Sequence, residues 1–377
     1  MLRRVRDMPM PTSIPTELID GRELPGGVSN TTHGEGIRRG VGYGVSVKNI
    51  AKSAGYDDYS TARVRLAVAD GEPVASVHTA AAEVGQGLVT VQSQIARTEL
   101  GVTQVIVLPA DTTVGDAGTS SASRQTWMTG GAIKAAAEAV RSRLLRMAGG
   151  ELGRDPGDLA LANGNVTDSD GAPLATIADV LETRSLEETR VFRHRRTEPL
   201  DPDTGQGEAH VAYAFAAHRA IVDVDTELGL VRVVEVACSQ DVGRAINRTA
   251  VEGQMQGGIA QGLGLALMEE IQVKSGQICN PSFTDYLIPT TLDMPPTRLD
   301  ILEYARDDSP YGLTGVGEPP LLSCPGAIAA AIREATGNEV ARIPVRPDDL
   351  IGARCDGHLS DRAEVRKTAV QGEAGHT

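Results

Sequence analysis

The chain has 377 residues, 41% of them hydrophobic, and a formal net charge of -14. This suits a folded protein with a large core, and the acidity excludes the basic face that nucleic-acid binding requires. No run of about 18 apolar residues is present to span a membrane and no apolar leader follows the first methionine, so a cytoplasmic protein is expected.

Aromatic residues are scarce at 3% against 42 glycines, so the core must be built of Val, Leu, Ile and Ala with close backbone approaches. Cys238, Cys279, Cys324 and Cys355 are far apart and form no CxxC or Cys/His spacing, which supports neither zinc nor an iron–sulfur cluster in this chain and suits a reducing compartment.

In chain order, residues 1–35 show no period and read as an extended lead-in. Val41–Lys48 and Ala62–Ala69 alternate as strands, Asp70-Gly71 is a hairpin turn, and Pro73–Ala80 returns. Glu83-Val-Gly-Gln-Gly87 leads into a helical pattern over Leu88–Leu100, which stops at Gly101 before a short strand over Val102–Leu108. A hydroxyl-rich run through Thr119–Thr126 precedes an Ala-rich helix from about Gly131 to Met147. The charged run Glu182–Glu198 reads as a solvated connector. His218–Asp225 and Leu230–Ala237 form a second hairpin, followed by Asp241-Val-Gly-Arg-Ala-Ile-Asn247 and a Gly-rich helix over Glu252–Gly264. Hairpin, Gly-containing loop and helix repeat the order of residues 62–100. The chain is therefore expected to be α+β, with two similar sheet-plus-helix units. The first unit and its connector span 36–205, the second 206–352, and a flexible tail 353–377.

The most constrained stretch is Tyr311–Gly326. Gly312, Gly315 and Gly317 precede Glu318, and Pro319 and Pro320 follow it. Such a loop delivers one carboxylate beside the start of a helix over Pro325–Thr336, capped by Ser323 or Cys324 and stopped by Gly337. It suits a general base, and it suits an ordinary turn. Gln86, between Gly85 and Gly87, places an amide beside the free N–H groups of a helix N-terminus, fit for an anionic or oxo-bearing ligand or simply a tight turn. The hydroxyls of Gly118–Gln125 either cap a helix or face a ligand. Gly253, Gly257, Gly258, Gly262 and Gly264 each cost a helix about 1 kcal/mol relative to alanine, so close packing or ligand approach must explain them. No dinucleotide fingerprint, P-loop or GxSxG elbow occurs, although five histidines (His33, His78, His194, His210, His218) leave a spatial Ser/His/Asp triad open.

Together these loops resemble the C-terminal half of the large molybdenum-binding subunit of the xanthine dehydrogenase/aldehyde oxidase family, most like a bacterial xanthine dehydrogenase subunit. Glu83–Gly87 resembles that family's Gly-Gln-Gly loop, and Thr119-Ser-Ser-Ala-Ser-Arg-Gln125 its cofactor segment. Asp241–Asn247 with Glu252–Gly262 resembles its long helix motif, and Tyr311–Pro320 its active-site glutamate loop. The resemblance implies the fold of a second molybdopterin-binding domain and a hydroxylase that oxidises an electron-poor carbon of a purine, another N-heterocycle or an aldehyde, with water as oxygen source. It implies Glu318 as catalytic base, facing an apolar pocket that suits work near neutral pH. Gly85, Gln86, Gly87, Ala122, Ser123 and Arg124 are implied to bind molybdenum–molybdopterin, in mono- or dinucleotide form, with the metal held by the pterin and by no protein side chain. FAD and 2Fe-2S clusters are implied only on partner subunits. The family's N-terminal half is absent from this chain, so a further chain supplying it is expected, without which the enzyme is inactive. The alternative is a truncated, non-catalytic remnant or subunit-assembly partner.

Overall fold

The computed structural model describes residues 1–11 and 20–351. Part of the 1–35 lead-in and the 353–377 tail lie outside these residues. The chain opens with a short helix, α1 (Leu2–Asp7), where the sequence reads as extended; burial of Val5 against Ala217 and Ala237 accounts for it.

Strand β1 (Ile37–Ile50) is followed by the hairpin β2 (Tyr59–Ala69) and β3 (Glu72–Thr79). Helix α2 (Leu88–Leu100), strand β4 (Gln104–Val107) and the long helix α3 (Gln125–Leu152) come next. A small sheet of β5 (Ala160–Ala162), β6 (Asn165–Thr167) and β7 (Pro173–Thr176) and the short helix α4 (Ile177–Leu181) precede β8 (Leu186–Arg193). The second half begins with the hairpin β9 (Ala212–Asp225) and β10 (Leu230–Asp241) and helix α5 (Arg248–Leu267). A two-stranded arm of β11 (Val273–Lys274) and β12 (Gln277–Ile278) leads to β13 (Thr297–Leu302). The one-turn helix α6 (Pro319–Leu322), helix α7 (Cys324–Thr336) and α8 (Pro347–Ile351) complete the described chain.

The two main sheets share one plan. Their orders are β4-β3-β2-β8 and β13-β10-β9-β1. In each, an antiparallel hairpin carries a further antiparallel strand on one side (β8 or β1) and a parallel strand on the other (β4 or β13). The α+β class and the two similar sheet-plus-helix units are thus present. Strand β1, which the sequence places with the first unit, instead pairs with β9 along its whole length, from Ile37 opposite Asp225 to Ile50 opposite Ala212.

The run 182–198, read as a solvated connector, contains β8. Its charges hide the strand: Glu188 pairs with Arg143 at 2.9 Å and Arg193 with Asp57 at 2.9 Å, so an edge strand keeps its polar side chains and still pairs with β2. Helix α3 is longer at both ends than the alanine-rich pattern suggests and stops at Gly153, which has φ 64°.

One core packs α2, α3 and α4 on the first sheet through residues such as Leu66, Val77, Ile95, Ile133 and Val140. The second packs α5 and α7 on the other sheet through Val222, Val236, Met255, Ile259 and Ile328. A third cluster, including Ile50, Trp127, Met128, Val211 and Leu313, joins the two. No described helix is long and apolar enough to cross a membrane.

Period-two alternation on β1 places Gly40, Gly42, Gly44, Ser46 and Lys48 on one face. Helix α7 lies directly on the three glycines. A Cβ on Gly42 would sit 2.0 Å from Ala327 O and 2.2 Å from Ala331 N. Further along the same face Ser46 Oγ donates to Pro319 O at 3.2 Å, and Lys48 reaches Glu318. The strand therefore reads α7, α6 and the Glu318 loop in register.

Candidate active site

Glu318 immediately precedes α6, and its loop is pressed against Ile50 and Ser123. A Cβ on Gly315 would lie 2.4 Å from Ile50 Cδ1 and 2.6 Å from Ser123 Cβ, so only glycine fits. Ser123 Oγ accepts the Glu318 N–H at 3.0 Å and donates to Glu318 Oε2 at 3.2 Å. The Ala122 N–H donates to Oε1 at 3.2 Å, and Lys48 Nζ lies 3.0 Å from Oε2. Ala122 and Ser123 both adopt left-handed backbone, φ 55° and 47°. Such conformations cost about 1–3 kcal/mol each and concentrate at functional sites. Ala122 O is fixed by the Ala51 N–H at 3.0 Å. The expected apolar surroundings of Glu318 are corrected: its neighbours are an ammonium, a hydroxyl and a backbone N–H, because the β1 alternation brings Lys48 to the loop.

Ser323, a candidate cap for α7, does not cap it. Its Oγ lies 2.8 Å from His218 Nδ1 and donates to Ser46 Oγ at 3.2 Å. Burial pushes His218 down to about 4, so the ring is neutral. Its Nε2 is buried with no partner among the described residues, so this Ser–His pair has no carboxylate to complete a triad.

Arg124 lies beside the site, but its side chain turns inward. The guanidinium is fully buried, paired with Asp58 at 2.5 and 3.0 Å, and donates to Ala117 O, Thr119 O and Tyr59 O. This secures the 117–123 loop and leaves only the backbone of Arg124 to meet a ligand.

Gln86 folds onto its own loop: Oε1 accepts the Val84 N–H at 2.6 Å and Nε2 donates to Ala82 O at 2.9 Å. Of the N–H groups in the first turn of α2 that the sequence reads as free, that of Val89 is taken by Glu83. Glu83 accepts from Gly85 N at 2.7 Å, Gly87 N at 3.1 Å and Val89 N at 2.9 Å. Partial burial opposes ionisation of Glu83, but these backbone donors outweigh it and hold the carboxyl below its ordinary range.

The N-terminal ends of α2, α3 and α5 meet at one open cleft. Its lining brings together the amides of Gln86, Gln125, Asn247 and Gln254, the hydroxyls of Thr126 and Thr314, the Arg244 side chain, and apolar residues such as Leu88, Val251 and Val316. No carboxylate is among the described lining residues. Asn247 caps α5 through the Ala250 N–H at 2.8 Å and ties it to Gln94 of α2 at 3.0 Å, whereas α3 begins without a side-chain cap. Val316 and Gln254 carry the cleft toward Glu318: a Cβ on Gly317 would lie 3.2 Å from Gln254 Oε1.

The structure thus joins Ala122 and Ser123 to Glu318, places Gln86 and Gly87 in the adjoining cleft with Gly85 just outside it, and assigns Arg124 to the scaffold. Lys48 and Asp58 lie outside the motifs singled out in the sequence, and Glu83 and Gln254 lie within them without an assigned role. Only Lys48 left a usable signal, its even spacing from Gly40, Gly42 and Gly44.

Residues 17–295 match the family of molybdopterin cofactor-binding domains. The chain is 31% identical over 337 residues to subunit gamma of the 6-hydroxypseudooxynicotine dehydrogenase complex of Paenarthrobacter nicotinovorans, covering 87% of this chain and 41% of that protein. It is 30% identical over 284 residues to the putative xanthine dehydrogenase molybdenum-binding subunit of Escherichia coli, covering 73% and 37%. Among solved structures it resembles quinoline 2-oxidoreductase of Pseudomonas putida with a TM-score of 0.70 and 29% identity, covering 85% of this chain and 43% of that one. The chain therefore spans about two-fifths of the length of these relatives.

The cleft fits part of such a cofactor. Thr314 Oγ1 is buried in its lining with no partner among the described residues, the amides offer donors and acceptors to a pterin edge, and the uncapped start of α3 suits a phosphate. The chain belongs to the molybdopterin cofactor-binding domain family, as part of a molybdenum-binding subunit of the xanthine dehydrogenase/aldehyde oxidoreductase type whose cofactor is molybdenum–molybdopterin.

Proposed function

We propose that this chain is the cofactor-binding part of a molybdenum hydroxylase that oxidises an electron-poor carbon, with water as oxygen source and Glu318 as general base. The observation that carries the proposal is the clasp of Glu318 by Ala122 and Ser123 beside the amide-lined cleft. When bound, molybdenum–molybdopterin supplies the two-electron redox chemistry and activates the transferred oxygen. The chain's residues do the rest. The amides of Gln125, Asn247 and Gln254 and the Thr314 hydroxyl orient the cofactor. Gln86 donates once Nε2 is released from Ala82 O. Glu318 takes up a proton at its carboxylate, held ready by two neighbouring segments so that little reorganisation accompanies the transfer. The substrate is read as an N-heterocycle, purine or otherwise, or an aldehyde, because the relatives' names include xanthine, quinoline and aldehyde.

Partners are part of the proposal. The arm between α5 and β13 exposes Phe283 at 90% and Leu292 at 97%, along with Ile271, Val273, Ile278 and Leu287. Exposed apolar surface of this extent marks an association site. We assign it to the remainder of the large subunit, with FAD and 2Fe-2S proteins completing the electron path. The free thiols of Cys238, Cys279 and Cys324 suit a cytoplasmic location.

The second reading, a non-catalytic assembly partner, draws on the same arm. The test is co-expression with the polypeptides encoded beside it, followed by molybdenum and pterin analysis of the purified complex. Stoichiometric molybdenum with turnover of an N-heterocycle or an aldehyde supports the hydroxylase; a complex without molybdenum supports the second reading.

A further inference from the structure

We propose that Lys48 is the positioning residue for the Glu318 carboxylate and that it directs proton uptake to Oε1. The inference rests on the reading of Glu318 as general base. Lys48 Nζ lies 3.0 Å from Glu318 Oε2 and donates to Asn49 O at 2.8 Å and Asn49 Oδ1 at 3.0 Å. Two hydrogen bonds and one ion pair thus restrain the ammonium at the end of a long side chain. The strand that carries it is not free to shift, since α7 rests on Gly40, Gly42 and Gly44.

The two carboxylate oxygens are consequently unequal. Oε2 accepts from Ser123 Oγ and lies against the Lys48 ammonium as an ion pair, whereas Oε1 accepts from the Ala122 N–H alone. A positive charge 3.0 Å from Oε2 disfavours a proton on that oxygen, so the incoming proton goes to Oε1. The step moves one proton and no electrons: Glu318 becomes a neutral acid, and Lys48 keeps its three protons and its Asn49 contacts. Lys48 acts through Glu318 and need not touch the substrate.

The test compares K48M and K48R with the parent in the assembled enzyme, and measures amide exchange across Gly315–Leu322 in the chain itself. For K48M we expect kcat to fall about 100-fold with KM and molybdenum content unchanged, and loop exchange to quicken about tenfold. K48R, which keeps a positive charge beside Oε2, should recover most of kcat. A merely structural lysine would lower melting temperature and molybdenum content together and would leave the kcat of the loaded enzyme alone. Parent-like kcat and parent-like exchange in K48M would overturn the proposal. Should K48M fail to fold, K48Q takes its place under the same criteria. E318Q is run in parallel. If E318Q retains turnover, the base reading fails, and the exchange measurement alone decides whether Lys48 anchors the carboxylate: quickened exchange upholds the anchor, unchanged exchange overturns it.

Discussion

Ser123 and Glu318 are 195 residues apart and share two hydrogen bonds through a single hydroxyl, which accepts the Glu318 N–H at 3.0 Å and donates to its carboxylate at 3.2 Å. Removing that oxygen frees both the backbone and the side chain of the base. S123A should therefore lower kcat by about 10–100-fold without loss of bound molybdenum. S123G, which relieves the left-handed backbone, should melt no lower than S123A yet be as slow. Steady-state kinetics with metal analysis checks both.

The packing of α7 on β1 leaves no room for a side chain. G42A would drive a methyl group into Ala327 O and Ala331 N, both backbone atoms that cannot swing aside. We expect a loss of about 3 kcal/mol or more, read from urea unfolding. Because the Glu318 loop follows α7 on the same strand face, molybdenum content should fall as well.

Arg124 and Asp58 form a buried pair with no exposed surface to share the charge. R124M would strand the Asp58 carboxylate and release the carbonyls of Ala117 and Thr119. The expected cost is about 3–5 kcal/mol, measured by thermal and urea unfolding. An R124M chain of parent stability would contradict the scaffold role given to this residue.

Stability should fall on acidification for an identifiable reason. His218 has an ordinary value of 6.5 when unfolded and about 4 in the fold, because burial disfavours the imidazolium. The unfolded chain therefore binds a proton that the folded chain refuses. The His218 contribution is complete above pH 6.5 and is lost progressively as pH falls from 6.5 toward 4. Its full size is about 3 kcal/mol. H218Q should flatten the urea midpoint over this window. Glu83 acts at lower pH: with its carboxyl depressed below 4.5, its contribution is present above that value and is lost as pH drops beneath it.

Much of the fold was legible because local pattern and tertiary role agreed. The hairpin around Asp70-Gly71 and helix α2 between Gly87 and Gly101 follow directly from periods of 2 and 3.6 and from their stops. Strand β8 was not legible, since its charges are satisfied by Arg143 of α3 and by Asp57 before β2, and a linear reading sees only polarity. At the site, the individual loops carrying Gln86, Ala122–Ser123 and Glu318 could be singled out, but not the hydroxyl clasp between two of them, which depends on how distant segments pack. The resemblance implies Arg124 as a cofactor residue, and the motif alone does not show what its side chain pairs with. Asp58, which claims its side chain, is 66 residues away. Lys48 lay within reach of the β1 alternation, but its partner emerges only once α7 is seated on the glycines.

The measurement that bears most directly on the central claim is turnover and molybdenum content in E318Q, made together on the assembled enzyme. The amide keeps the size and most of the contacts of Glu318 but cannot take a proton. We expect molybdenum per chain equal to the parent and kcat lower by at least about 100-fold. Parent-like turnover at equal molybdenum content would contradict the assignment of Glu318 as the general base.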